Sequence, residues 1–439
     1  MTASVKEVLE FVRENDVKFI RLVFCDLLGS QKNISIMPDE LPEAFEHGIP
    51  FDAHAIRGFT DITKSDLLLF PDPSTISVLP WRPQQGRVIR FYCSIKNPDG
   101  SMFWGDTRGI LKSVVENVRQ KGYSCMVGAE CEFYLFKTDE NGDPTTVPYD
   151  NGGYLDVYPL DKGENIRREI CLCLEEMGIK PETSHHEQGP GQNEIDFKFS
   201  DALSCADNFI TFKQVVKSIA ARNGLFASFS PKPLPDKCGN GLHINLSLSQ
   251  NGYNVFELVG KGNTNAAESF IAGVLEKTPE ITLFLNPLPN SYERLGALEA
   301  PKYVSWSRGN RSQLVRIPTA KGERMRMELR SPDPSTNPYL AFALVISAGF
   351  YGIDNNLRLP ESVNVDLYNA DESITGRLTQ LPQNMDEALR LVQKSDFVRS
   401  VLNAEIIDKF INLKTQEMKN YNLAFDKNKY FIDNYFKVI

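Results

Sequence analysis

The chain has 439 residues, 41% of them apolar and 24% charged, which are ordinary proportions for a folded globular protein. A net charge of −9 and a pI near 5.3 argue against nucleic-acid phosphates as the partner, so no nucleic acid is expected. The longest uncharged, mostly apolar stretch, residues 339–353, falls short of the ~18–20 residues that span a bilayer and reads as a buried core helix, so no membrane association is expected.

The segment from Met1 to Glu7 has no basic stretch followed by an apolar run, which predicts no signal peptide. None of the eight cysteines forms a CxxC pair; they read as small core residues in a reducing cytosol, a cytoplasmic expectation. Residues 4–15 have helical spacing, with Val5, Val8, Leu9 and Val12 on one side and Ser4 with Glu7 as a capping box. Residues 18–25 read as a strand, 26–30 as a turn and 31–37 as a return strand. Two more short strands follow at 66–70 and 88–95. The turn cluster Asn97-Pro-Asp-Gly100 marks a boundary between a small mixed sheet, residues 1–100, and a larger unit, residues 101–439. In the larger unit, helices are predicted at 108–121, 166–177, 206–223 and 265–285, and again after Pro338. Strands interleave with them in no βαβ rhythm, so the fold class is α+β.

Four strand-like stretches alternate apolar and polar residues: 127–136, 192–199, 242–248 and 324–330. Their polar sides carry Glu130 and Glu132 with Tyr134, then Glu194, then His243, Asn245 and Ser247, then Arg324, Arg326, Glu328 and Arg330. Carboxylates gathered this closely repel unless a cation lies between them, although a solvated strand face is the bland alternative. Glu187, beside His185 and His186, is a further ligand candidate, while His186 serves to orient its neighbours. Without HExxH, an oxygen-rich set with one imidazole suits Mg²⁺ or Mn²⁺ better than zinc. The arginines, joined by Arg311 and Arg316, are open to two readings. Either they pair with the glutamates across strands, or they bind phosphate and carboxylate substrates. Val259-Gly-Lys-Gly262 lacks the Walker pattern, no GxGxxG follows a strand, and no GxSxG occurs. A nucleotide would therefore bind through metals and arginines, which favours phosphoryl transfer.

Taken together, the motifs resemble those of class I glutamine synthetases, in particular the short bacterial and archaeal form, over nearly the whole chain. They are Gly29-Ser-Gln-Lys-Asn33, Gly48-Ile-Pro-Phe-Asp52, Gly128-Ala-Glu-Cys-Glu-Phe133, His185-His-Glu187, Gly191-Gln-Asn-Glu194, Pro231-Lys-Pro233, the turn from Gly239 to His243, Asn310-Arg-Ser312, Arg316-Ile-Pro318 and Glu328-Leu-Arg-Ser-Pro-Asp-Pro334. The resemblance implies a small N-terminal β-grasp domain and a large catalytic domain with a curved antiparallel sheet flanked by helices. It implies ligation of ammonia to the γ-carboxylate of glutamate through γ-glutamyl phosphate, with ATP as co-substrate and two or more Mg²⁺ or Mn²⁺ per site. It also implies a homo-oligomer, commonly a dodecamer of two hexameric rings, with active sites between subunits. Carried over by residue, one metal falls to Glu132, Glu187 and Glu194, and the other to Glu130, His243 and Glu328. ATP falls to Glu182, Phe199, Asn245, Ser247, Arg316 and Arg326. Glutamate falls to Gly239, His243, Arg294, Arg311 and Arg330. Asp52 binds ammonium and takes its proton, Arg311 is counted with the catalytic groups, and Glu299 closes over the intermediate.

Four departures stand out. Ala53-His54-Ala55 replaces the family's Gly-Ser-Ser after Asp52, Cys238 stands where an asparagine is usual, and Asn245 where a second histidine is frequent. The segment from Arg294 to Glu299 is one residue shorter than usual. The intact ligand set points to glutamate–ammonia ligation. A γ-glutamyl ligase for a polyamine or ethanolamine, or a non-catalytic regulatory relative, are the competing expectations. Tyr368 lies in a segment unlike the family's adenylylation loop, and Asp61 stands where a feedback arginine is found, so no adenylylation and a weak or different glutamine feedback are expected.

Overall fold

Ser4 starts the first helix, Val5–Glu14: its hydroxyl accepts from the Glu7 amide at 3.3 Å, and the Glu7 carboxylate accepts from the Ser4 amide at 2.7 Å. This is the capping box read from the sequence. The structure is a computed structural model and describes residues 4–82, 84–260 and 266–439. Met1 to Ala3, Lys261, Gly262 and Asn265, which figure in the sequence readings, lie outside those described residues.

The helix lies against a sheet ordered Gln31–Ile36, Val17–Cys25, Arg87–Lys96, Asp66–Pro71, Ile49–Asp52, with Ser77–Val78 also paired to Arg87–Lys96. Val17–Cys25 and Arg87–Lys96 run parallel and the other pairs antiparallel. Ile20, Leu22 and Phe24 alternate along one strand and Ile89, Phe91, Cys93 and Ile95 along its neighbour; all are buried with Val8 and Val12 of the helix. Period-two alternation puts one face of each strand under the helix, which is the β-grasp arrangement.

The larger sheet is ordered Trp306–Arg308, Val315–Ile317, Met327–Leu329, Leu242–Gln250, Tyr123–Thr138, Gln192–Phe197, Pro181–His186. It is antiparallel except for the first pair, which is parallel. Tyr123–Thr138 is its spine and also pairs with Pro144–Pro148, Ser200–Asp201 and Leu225–Ser228. Val127, Ala129, Cys131, Phe133 and Leu135 enter the core from one side of the spine, as do Leu242, Ile244, Leu246 and Leu248 from the next strand. The alternate residues therefore face away from the core.

Helices Thr107–Gln120 and Ala202–Arg222 cover the apolar face, and Pro338–Asp354 packs against both of them. Pro338–Asp354 is buried almost all round, as its composition predicts, and packs on Ala266–Leu285. That contact depends on glycine: a Cβ at Gly352 would lie 1.9 Å from the Ser269 carbonyl oxygen. The two sheets are joined through a buried ionic network. Arg108 donates Nε to Asp207 Oδ1 at 3.0 Å, Nη2 to Asp207 Oδ2 at 2.9 Å and Nη2 to Asp72 at 3.1 Å. Tyr339 Oη donates to Asp207 at 2.7 Å, and Tyr92 Oη donates to the Asp207 carbonyl at 2.7 Å.

Local chemistry moves several element limits. Residues 324–330 are not one strand: Gly322–Arg324 forms a 3-10 turn and only Met327–Leu329 is extended, so Arg324 leaves the striped face. The helix predicted from residue 206 starts at Ala202, because Asp201 caps it by accepting from the Ser204 amide. The strands Pro144–Pro148 and Leu225–Ser228 have no clear period in the sequence and are held by pairing with the spine.

Candidate active site

Strand register brings the polar residues together. Across the spine, Glu132 is opposite Glu194 and Glu130 opposite Asp196; on its other side Glu130 is opposite His243. Glu328 is opposite Asn245 and Arg316, and His185 opposite Glu194. A one-residue slip at any strand would turn these groups into the core, so burial of the apolar face fixes the site.

Two ligand groups result, each with donor atoms within 4.8 Å of one another: Glu130, His243 and Glu328 in one, and His185, Glu187 and Glu194 in the other. Glu132 lies beside the second group and acts electrostatically on both of its carboxylates. His243 Nδ1 lies 3.5 Å from Glu130 Oε2 and 3.7 Å from Glu328 Oε1. Burial, then the charge of Arg330, holds His243 well below its ordinary pKa, so its ring is neutral and has a lone pair to offer. Burial and then Glu187 push Glu132 up to about 7; burial and then Asp196 raise Glu194 well above the ordinary value. Carboxylates held in this way are short of positive charge. Oxygen donors with imidazole nitrogens fit a hard divalent cation at each position.

The arginines divide into two kinds. Arg316 Nη1 donates to Glu328 Oε2 at 2.6 Å, and Arg330 Nη1 donates to Glu328 Oε1. Arg326 Nε donates to Asn245 Oδ1 at 2.7 Å, and Asn245 donates to Glu130 Oε1 at 2.9 Å. These three are partners of the glutamate face. Arg294 is different: its donors meet the carbonyls of Ser331 at 2.7 Å and Arg330 at 3.2 Å, and among the described residues no carboxylate lies within 4 Å of it. It is a buried cation that lacks an anion.

Beside it, a Cβ placed on Gly241 would lie 2.8 Å from Arg294 Nη2, 2.8 Å from His243 Nε2 and 3.3 Å from Glu132 Oε1. Glycine thus keeps open a cradle where a cation, an imidazole and a carboxylate converge. Gln192 braces its wall, donating to Glu132 at 3.0 Å and to the Gly239 carbonyl at 3.2 Å. The hollow is only 20 Å³, room for about one water, and Leu298 and Glu299 help to line it. Both residues have left-handed backbones, φ 50° and 71°, which are strained for non-glycine side chains. Gln188 Nε2 holds Glu299 Oε1 at 3.0 Å, and Arg330 Nη2 lies 3.9 Å from Glu299 Oε2.

His186 has a scaffolding place, as its neighbours suggested. Its ring bridges the Glu187 carbonyl at 2.6 Å and Asp150 at 2.8 Å. Asp150, Asp161 and His186 also cluster, but Asp161 is met by Arg167 and Asp150 by the amides of Gly152, Lys162 and Gly191. That group is internally neutralised.

Phe199 and Asn245 sit against Gly128, where a Cβ would lie 3.4 Å and 3.7 Å from their Cβ atoms, and Ser247 follows along the same strand face. Phe199 and Arg311 are exposed, and Arg330 Nε holds the Arg311 carbonyl at 3.1 Å. Among the described residues no hydrogen bond or ion pair joins Glu182 or Asp52 to the cluster. Asp52 lies exposed at the end of Ile49–Asp52 in the small sheet, where its carboxylate accepts from the His54 amide at 3.0 Å. The structure adds His185, Asp196, Gln188, Gln192 and Gly241 to the site. The alternation of their strands carried a signal for His185 and Asp196; only folding could reveal the others.

Residues 104–431 match the family described as glutamine synthetase, catalytic domain, and residues 16–98 match glutamine synthetase, beta-Grasp domain. The chain belongs to the glutamine synthetase family. It is 46% identical over 422 residues to the glutamine synthetase of Methanosarcina mazei, covering 95% of this chain and 94% of that one. It is 44% identical over 421 residues to that of Clostridium saccharobutylicum, covering 95% of each. Among solved structures, a GmaS/ADP complex matches with a TM-score of 0.87 at 30% identity over 99% of both chains. The cryo-EM structure of Plasmodium falciparum glutamine synthetase, at 24% identity and a TM-score of 0.85 over 99% of both chains, shares the fold. The chain is accordingly an ATP- and divalent-metal-dependent ligase that forms glutamine from glutamate and ammonia. Among the described residues no helix is long and apolar enough to cross a membrane.

Proposed function

We propose that the ligation uses two or more Mg²⁺ or Mn²⁺ ions, one held by Glu132, Glu187 and Glu194 and the other by Glu130, His243 and Glu328. The observation that carries this reading is the pair of ligand groups on one sheet face, Glu130, His243 and Glu328 in one and His185, Glu187 and Glu194 in the other, each gathered within 4.8 Å, with the charge of Glu132 acting on the second. Bound divalent ions supply the positive charge that phosphoryl transfer needs. His185, 3.0 Å from Glu187 Oε1, orients that carboxylate. Glu182, Phe199, Asn245, Ser247, Arg316 and Arg326 take the nucleotide. Gly239, His243, Arg294, Arg311 and Arg330 take glutamate, whose carboxylate gives Arg294 its missing anion.

A γ-carboxylate oxygen of glutamate then attacks the γ-phosphorus of ATP, and ADP leaves with the electrons of the broken P–O bond. Arg311 and Arg330 face the charge that develops. Glu299 closes over the γ-glutamyl phosphate and excludes water. Ammonia attacks the acyl carbon, its proton passes to Asp52, and phosphate departs. The exposed position of Asp52 on the small sheet agrees with service to a neighbouring subunit's site, in a dodecamer of two hexameric rings. Residues 1–100 then form the β-grasp domain and 101–439 the catalytic domain. A cytoplasmic location accords with eight cysteines that are all free.

ADP release with glutamate plus ammonium, putrescine, ethanolamine or no amine tests the reading. Turnover with ammonium alone is expected. Turnover only with an organic amine would replace ammonia as acceptor, and no turnover with any amine would leave a non-catalytic relative.

A further inference from the structure

The chain from residue 363 to 368 is stitched across the arginine-bearing stretch 306–313. Val363 N donates to the Trp306 carbonyl at 2.9 Å, Asn310 Nδ2 and Gln313 Nε2 donate to the Val365 carbonyl at 2.9 and 3.1 Å, and Leu367 N donates to Ser312 Oγ at 3.1 Å. Ser312 follows Arg311, so this strap is built onto the segment that carries the cation proposed above for substrate. Its end places Tyr368, a half-buried side chain whose hydroxyl is buried and has no hydrogen-bond partner among the described residues. Burial pushes this phenol up to about 12, and the charges acting on it, strongest first, are those of Arg330, Arg294 and Glu299.

A buried hydroxyl without a partner is costly, and such groups are retained where a ligand satisfies them. Here the unpartnered donor stands near Arg294, the guanidinium that lacks an anion, and Arg330, whose Nη1 is taken by Glu328. An acceptor-rich anion beside Arg294 meets both needs at once, that of the guanidinium and that of the hydroxyl, and the protonated phenol can only help as a donor.

We propose that Tyr368 is a further substrate-binding residue, its hydroxyl donating a hydrogen bond to a carboxylate oxygen of the glutamate held by Arg294 and Arg330. This rests on the glutamate assignment made above. It also gives the strap a purpose: one set of hydrogen bonds, from Asn310, Ser312 and Gln313, ties the Arg311 segment to the one that carries Tyr368.

The test is Tyr368→Phe, which keeps the ring and its packing. Loss of a hydrogen bond to a charged acceptor is expected to lower kcat/KM for glutamate about tenfold or more, with KM for ATP unchanged. The melting temperature of the ligand-free variant is expected not to fall, because the hydroxyl removed has no partner among the described residues, while the rise in melting temperature on adding glutamate shrinks. An active wild type with an unchanged kcat/KM for glutamate in the variant would overturn the proposal and leave the site assignment standing. An equal loss for ATP and glutamate, with a lower melting temperature, would also overturn it in favour of a packing role. A wild type that releases no ADP with glutamate would overturn both.

Discussion

Glu328 holds two guanidinium groups at once: Arg316 Nη1 reaches one carboxylate oxygen at 2.6 Å and Arg330 Nη1 reaches the other. Both Glu328 and Arg330 are 1% exposed. Burial pulls the Glu328 carboxylate up, but Arg330 and the other neighbouring cations, Arg316 among them, together hold it below its ordinary value, so Glu328 stays ionised and available beside His243. Substitution Glu328→Ala removes a metal ligand and leaves two guanidinium groups unpaired. Activity is expected to fall at least a hundredfold, with a loss of stability of about 3–5 kcal/mol from the broken buried pair. Steady-state assays and denaturant titration check this; a near wild-type rate would refute the ligand assignment.

The metal-free protein is expected to lose stability as pH rises from about 4.5 toward 7. Glu132 is raised in the folded state from 4.5 to about 7, and Glu194 is raised in the same direction. The folded form therefore holds protons that the unfolded chain has released, and that advantage disappears as pH passes the folded value. A divalent cation needs the deprotonated carboxylates, so its stabilisation grows over the same interval. Melting curves in EDTA and in excess Mg²⁺ should diverge with rising pH; parallel curves would contradict the charge argument.

Gly241→Ala is expected to weaken glutamate use by roughly a hundredfold, the scale of a displacement of about 1 Å at a reacting site. The added Cβ would lie 2.8 Å from both Arg294 Nη2 and His243 Nε2. Glutamate kcat/KM reads the effect, and an unchanged melting temperature separates it from misfolding.

Gln188 Nε2 donates to Glu299 Oε1 at 3.0 Å. With Gln188→Ala, closure over the acyl phosphate is expected to be less complete, and water to compete with ammonia. ADP release with glutamate but no ammonium should rise severalfold relative to the ammonium-dependent rate. A fully coupled variant would show that this amide is not needed for closure.

Asp207→Ala leaves Arg108 without its bidentate partner and Tyr339 without its acceptor. A loss of about 3–5 kcal/mol is expected, read by denaturant titration. If stability is unchanged, the contact between the two sheets draws on apolar packing alone.

Much of this architecture was legible in the chain. The capping box at Ser4, the apolar helix after Pro338 and the alternation around Glu130, Glu194 and His243 each follow from short-range spacing, and each is found in place. The strand at Met327–Leu329 was overextended because Gly322 allows a turn that hydrophobic period does not register. Strands such as Pro144–Pro148 exist only because the spine pairs with them.

The sequence alone determined that carboxylates and arginines share one face of several strands, because alternation with core residues leaves them no other direction. It could not decide which charge meets which. That depends on register between separate strands, which sets Glu328 against Arg316 and Asn245, and on loop packing that leaves Arg294 open. The cradle at Gly241 and the unpartnered hydroxyl of Tyr368 were equally hidden, since a space or a missing partner is a property of what packs around a residue, and packing exists only once the chain has folded.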